Sequence, residues 1–204
     1  MYLLEAALIR AVLFLFVSFR IEGRENVPAH GALLVVCNHL SVADPPILGV
    51  SLKRRTRFMA KEELFRNIFF RFAVTQFGAF PVYRGSSGRQ ALRRANEVLE
   101  KGNALVMFPE GQRSRTGRLG PGMPGAALVA YHNRCMILPV GIEGTEVIKG
   151  LRWLVKRPEV CLKIGKPFRL SEDSRSLSRE QLQVHCDRIM TEISQLVAER
   201  YRSH

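Results

Sequence analysis

Three apolar runs, residues 32–37, 104–108 and 136–140, limit what this chain can fold into. Each is short for a helix, rich in Val, Leu and Ile, and bounded by turn-forming or polar residues, so each reads as a buried strand. Residues 57–60, 78–84 and 159–164 read as further strands, and residues 21–31 as a short strand followed by a turn. Helical spacing falls between them. Residues 88–101 place Ala91, Leu92, Ala95, Val98 and Leu99 on one side, and Gly102 ends that helix. Residues 178–201 repeat the pattern with Leu182, His185, Ile189, Ile193, Leu196 and Val197, where His185 reads as a packed residue. Residues 45–52, 62–77 and 126–133 complete the helices, and Leu64, Phe65, Ile68, Phe69 and Phe72 form one apolar face expected to join the core. Phe70 falls outside that face, beside Arg66 and Arg71. Strand followed by helix, repeated, predicts an α/β fold with a mixed, largely parallel sheet flanked by helices.

Length and charge narrow the possibilities. A chain of 204 residues supports one domain with a sizeable core. Its 31 Lys and Arg against 18 Asp and Glu give a net charge of +13, which implies an anionic partner: nucleic acid, an anionic membrane surface, or an acidic protein or substrate. Within this excess, Lys53, Arg54, Arg55 and Arg57 read as a solvated face. The four cysteines, Cys37, Cys135, Cys161 and Cys186, form no C-x-x-C pair, so neither a disulfide framework nor a metal site is expected. They read as free thiols of a reducing compartment. Residues 1–19 are apolar except for Glu5, Arg10 and Ser18, with no basic leader and no small-residue cleavage site. This stretch reads either as an ordinary core helix or as an interfacial anchor. The expected division takes the second: a membrane-anchoring helix over residues 1–20, with Arg20 and Arg24 at the headgroups, and a folded domain over residues 21–204.

Chemistry concentrates where the buried runs end. The first empties into Asn38-His39, and Asp44 follows five residues after the histidine, just before Pro45 and Pro46. A histidine at the end of a buried strand with a carboxylate across a tight turn suits a general base and its orienter. Asp44 before Pro45 also suits a helix N-cap with proline at the first helical position. The strand over residues 78–84 closes with Arg84, and the run over residues 104–108 leads into Pro109, Glu110, Gly111, Gln112, Arg113 and Ser114. In α/β folds, loops at the carboxyl ends of strands converge on one edge, where the site forms. The glycine- and proline-rich bend over residues 120–125 has no nucleotide-loop spacing.

Four blocks in this chain resemble those of the glycerolipid acyltransferases: Asn38-His39-x4-Asp44; residues 78–84 ending Val82-Tyr83-Arg84; residues 108–114, Phe-Pro-Glu-Gly-Gln-Arg-Ser; and Leu138-Pro139-Val140. The likeness is greatest to the 1-acylglycerol-3-phosphate (lysophosphatidic acid) acyltransferases and extends over residues 21–168. Gln112 stands where the family commonly has Thr, and the N-terminal membrane element is short, which favours shallow attachment.

The resemblance implies a glycerol-3-phosphate acyltransferase-like fold. It also implies acyl transfer from acyl-coenzyme A or acyl carrier protein to the sn-2 hydroxyl of lysophosphatidic acid, giving phosphatidic acid. It makes His39 the general base and Asp44 its orienter, with Lys61, Arg84 and Arg113 binding phosphate and Glu110 and Gly111 binding the acceptor. A carboxylate at Glu110 would accept hydrogen bonds from glycerol hydroxyls. It implies no cofactor, no metal and no nucleic-acid partner, and an enzyme on a membrane with its site on the cytoplasmic side. Two alternatives stay open: an acyltransferase for another lysophospholipid or a lyso-aminolipid, and a non-catalytic protein that binds anionic membranes.

Overall fold

The computed structural model describes residues 16–66, 68, 71, 74–75, 78–82, 88–148, 153, 157–171 and 177–202. Its centre is β2 (Leu33–Cys37), in which every residue is buried. Leu33, Val35 and Cys37 face one core while Leu34 and Val36 face another. That follows from the two-residue period of a strand, and it is why this run carries no polar alternation. The other strands are β1 (Ser18–Glu22), β3 (Thr56–Lys61), β4 (Ala79–Val82), β5 (Ala104–Met107), β6 (Met136–Glu143) and β7 (Glu159–Ile164). Among the described residues they form one seven-stranded sheet in the order β1-β7-β6-β2-β5-β3-β4. Every neighbouring pair is parallel except β6 with β7.

Helices cover both faces. On the first, α1 (Asp44–Ser51) inserts Ile47 and Leu48 beneath β2, and Trp153 packs against the same core. On the second lie α3 (Gly88–Glu100), α4 (Gly125–Asn133) and α5 (Arg179–Leu196), which bury Ala95, Leu99, Val129, Ile189 and Ile193. Ser178 begins α5 with a capping box: its hydroxyl accepts from Gln181 N–H while the Gln181 side chain accepts from Ser178 N–H. These two bonds satisfy donors that a helix N-terminus otherwise leaves bare. His185 is buried on the inner side of α5, as its spacing suggests.

Several expectations need correction. Residues 18–20 are not the end of a helix; they start β1, which pairs with β7 and brings the sheet's first strand forward. The remainder of the expected anchor, residues 1–15, lies outside the described residues. Among those described, no helix is long and apolar enough to cross a membrane. Of the helix expected over residues 62–77, the described part includes α2 (Glu63–Arg66), and Leu64 and Ile68 are exposed rather than part of the core; Phe70 lies outside the described residues. Arg54 is not simply solvated. Its guanidinium donates to the carbonyls of Pro28, His30, Gly31 and Gly102, tying the turn before β2 to the turn after α3.

Candidate functional site

The parallel run β6-β2-β5-β3-β4 puts the carboxyl ends of five strands on one edge. β2 and β5 are adjacent there, so the loops that follow them meet although 71 residues separate His39 from Glu110. Asn38 fixes the end of β2. Its side chain, 2% exposed, donates to Ile142 O at 2.8 Å and accepts from Ile142 N–H at 2.8 Å. The amide thereby continues the β2–β6 ladder by one rung in place of a peptide group and starts the next residue from a rigid point.

That residue is His39. Its Nδ1 lies 2.7 Å from Asp44 Oδ2, and the same oxygen accepts the backbone N–H groups of Leu40 and Ser41, each at 2.7 Å. Three donors on one oxygen fit a carboxylate, which can only accept. In the neutral imidazole this arrangement puts the ring proton on Nδ1 and leaves Nε2 as the acceptor. The Asp44 side chain is fully buried and the His39 side chain 16% exposed, so the orienting contact is dry while the ring reaches solvent. Phe108 stacks on the imidazole at 4.0 Å between centroids, 17° from parallel, and limits how the ring can turn.

Asp44 does not cap the helix. Ala43 is the N-cap of α1 and carries no capping hydrogen bond from its side chain. An aspartate cap would need the N–H groups of the following turn, but Pro45 and Pro46 have none, and Ile47 N–H already donates to Ala43 O at 3.1 Å. The second Asp44 oxygen, Oδ1, is buried and accepts no hydrogen bond among the described residues.

The loop after β5 clasps the histidine main chain. Glu110 Oε1 accepts from His39 N–H at 2.9 Å, Glu110 Oε2 accepts from Gly120 N–H at 2.9 Å, and Ser114 N–H donates to His39 O at 2.7 Å. Burial pushes the Glu110 carboxyl above its ordinary range, and the two backbone donors partly oppose that shift. Each carboxylate oxygen is thus engaged by one backbone donor of the protein itself and keeps a second lone pair. Gly111 holds φ +68°, a left-handed conformation that favours glycine, whereas the 2.5 Å approach of a Cβ to the Met123 sulfur could be relieved by movement of that exposed side chain.

The cations expected at the site are distributed unevenly. Arg113 is exposed one residue before Ser114, at the rim of the same loop. Lys61 is exposed at the carboxyl end of β3, two strands from β2 on the same edge and paired in register with Val82. Arg84 lies outside the described residues. The structure therefore brings His39, Asp44, Glu110 and Gly111 into contact or immediate succession, with Arg113 beside them and Lys61 further along the edge. Sequence reasoning missed the roles of Asn38, Phe108, Ser114 and Gly120. Their position beside the motifs was visible, but not their partners. A separate cavity of about 340 Å³ between β1, β7 and β6 mixes Glu22, Glu143 and Glu159 with Arg20, Lys163 and Arg200, and contains none of these site residues.

The family model described as Acyltransferase matches residues 18–143. The chain is similar to the 1-acyl-sn-glycerol-3-phosphate acyltransferase of Streptococcus pneumoniae, with 32% identity over 84% of this chain and 62% of that protein. It is also similar to the enzyme of the same name from Bacillus subtilis, with 27% identity over 96% of each. The chain thus spans less than two thirds of the length of the pneumococcal relative and nearly all of the Bacillus one. Among solved structures, it resembles the crystal structure of the 1-acyl-sn-glycerophosphate (LPA) acyltransferase PlsC from Thermotoga maritima. There the TM-score is 0.70 and the identity 30%, covering 92% of this chain and 75% of that one. Since the model match takes in more than half of its length, from β1 to the end of β6, this chain belongs to the Acyltransferase family.

Proposed function

We propose that this protein transfers a fatty acyl group from an acyl thioester to the sn-2 hydroxyl of lysophosphatidic acid, giving phosphatidic acid. The observation that carries the reading is the 2.7 Å contact between His39 Nδ1 and the buried Asp44, which leaves Nε2 as an acceptor at the open edge of the sheet. Support for the acceptor comes from the names of the relatives, all 1-acyl-sn-glycerol-3-phosphate acyltransferases.

In this mechanism the substrate hydroxyl is the nucleophile, so no serine or cysteine is needed. His39 Nε2 takes the hydroxyl proton as the oxygen attacks the thioester carbonyl. The tetrahedral intermediate collapses, the C–S bond breaks, and the imidazolium returns its proton to the departing thiolate. Asp44 stabilises the imidazolium without becoming protonated, and Phe108 together with the Glu110 and Ser114 contacts keeps the ring and its main chain in place.

Arg113, Lys61 and Arg84 are the proposed partners of the acceptor phosphate, for which guanidinium groups are geometrically suited. The donor is acyl-coenzyme A or acyl carrier protein, both acidic and compatible with a net charge of +13. The apolar N-terminal stretch that precedes the buried Val17, residues 1–15, would hold the protein on an anionic bilayer, where both acyl substrates partition, with the site facing the cytoplasm. The test is a donor-by-acceptor matrix in vesicles with wild type and His39→Ala. We expect phosphatidic acid from wild type and a fall in kcat of about 10²- to 10⁴-fold in the variant, with vesicle binding retained. Turnover that survives His39→Ala refutes the base assignment. Equal turnover of a neutral-headgroup lysolipid refutes the acceptor.

A further inference from the structure

Residues 197–202 follow α5 and lie well beyond the stretch matched by the family model. They nevertheless end beside His39. Tyr201 is 4% exposed and packs with Leu40 and Val197 in a cluster of its own. Leu40 is the residue after His39, and its N–H is one of the three donors to Asp44 Oδ2. The Tyr201 carbonyl accepts from Leu119 N–H at 2.7 Å. The next residue, Gly120, donates to the far oxygen of Glu110, whose near oxygen holds His39 N–H. One buried tyrosine therefore touches both loops of the candidate site, by its ring on one side and its main chain on the other.

The seat for this segment is built rather than incidental. Gly141 lies against the last turn of α5, where a Cβ would come 2.8 Å from Leu196 O. Glu143 Oε1 accepts from Ala198 N–H at 2.6 Å. The Tyr201 hydroxyl donates to Glu146 Oε1 at 2.7 Å and accepts from Gly144 N–H at 3.2 Å. Arg200 reaches the same hydroxyl at 3.3 Å and lies 4.8 Å from the ring centroid, adding a cation beside the Glu146 carboxylate. A hydroxyl that donates to one partner and accepts from others, at the end of a buried ring, is satisfied only by tyrosine.

We propose that Tyr201 is a positioning residue for acyl transfer: it locks the loop carrying His39 to the loop carrying Glu110. This rests on the reading of His39 as the base. Tyr201 touches no reacting atom, and its loss leaves both substrate-binding rims in place, so the effect falls on turnover rather than on binding. Misplacement of a catalytic group by about 1 Å costs as much as a hundredfold in rate.

The experiment uses the full chain as Tyr201→Ala and Tyr201→Phe. It combines steady-state kinetics with lysophosphatidic acid and an acyl thioester, thermal unfolding, and hydrogen exchange of peptides covering residues 38–44 and 110–120. For Tyr201→Ala we expect kcat to fall about tenfold to a hundredfold with both KM values within about threefold. Exchange should rise in those two peptides and stay unchanged in α3. Both variants keep the main-chain carbonyl that accepts from Leu119 N–H. Tyr201→Phe keeps the ring and loses only the hydroxyl bonds, so its kcat and exchange should fall between those of wild type and Tyr201→Ala. Wild-type kcat with wild-type loop exchange in either variant overturns the proposal, as does a uniform rise in exchange across the chain. If Tyr201→Ala does not fold, Tyr201→Phe decides by the same criteria. Absence of acyl transfer by wild type would instead refute the proposed function, a result that exchange does not depend on.

Discussion

Replacing Glu110 by Gln separates two roles that the same residue could play. If the carboxylate is there to bind the acceptor, the substitution should raise the acceptor KM and leave the fold untouched. The other role is to hold the His39 main chain, since its two oxygens accept from His39 N–H and Gly120 N–H at 2.9 Å each. A glutamine keeps one acceptor oxygen and turns an NH₂ group toward the other backbone donor, so one of the two bonds is lost and its N–H is stranded in a buried place. A hydrogen bond to a charged group is worth about 1.5–3 kcal/mol, and the stranded donor is the same loss seen from the other side rather than an addition. Relief from burying a charge offsets a part of this. A net cost of about 2 kcal/mol lowers Tm by roughly 4–8 °C in a chain of this size.

The same change frees the main chain of His39, so kcat should fall about tenfold or more while the acceptor KM stays within about twofold. The pH dependence adds a check. Burial holds the Glu110 carboxyl above its ordinary range, so the folded state keeps this proton to higher pH than the unfolded chain does. Its contribution to stability is full below the unfolded value and declines as pH rises through the folded one. Urea unfolding should therefore show the advantage of wild type over Glu110→Gln shrinking across that window. An unchanged Tm with an acceptor KM raised tenfold would refute the scaffold reading.

Asp44→Asn is expected to delete a charge while keeping its geometry. Three N–H donors converge on Oδ2, so the amide must put its oxygen there and its NH₂ where the unpartnered Oδ1 now lies. Loss of the carboxylate beside an imidazolium is worth about 4 kcal/mol at an effective dielectric near 20, or roughly a thousandfold in kcat; a fall of less than tenfold would exclude charge stabilisation of His39. Thiol labelling tests the burial around β2: burial pushes Cys37 well above the ordinary range and Cys135 up to about 11. With iodoacetamide at pH 7.5, the half-buried Cys161 should react first and Cys37 and Cys135 only after urea is added. Equal rates for Cys37 and Cys161 in the native protein would contradict the fold.

Much of the architecture is legible residue by residue because it rests on short-range periodicity. An uninterrupted apolar run such as residues 33–37 can be satisfied only between two layers, and Gly102 or Ser178 mark helix ends by local backbone chemistry. The apolar face expected from Leu64 and Ile68 did not join the core, because periodicity shows that a face exists and not what covers it. Helix capping by Asp44 was likewise a plausible local reading, defeated by the two prolines that follow and by the donors that gather on its side chain.

What the sequence by itself determined is whatever acts within a few residues: the strands, most of the helices, and the spacing that lets His39 and Asp44 meet inside one turn. Only the tertiary structure decided what spans the chain. It put Asn38 on Ile142, Glu110 beneath His39, and Tyr201 against Leu119 and Leu40. The physical reason is that a hydrogen bond joining residues 71 or 104 positions apart is set by strand order, which no local pattern encodes. Local chemistry therefore named the histidine, and the sheet supplied the groups that hold it still.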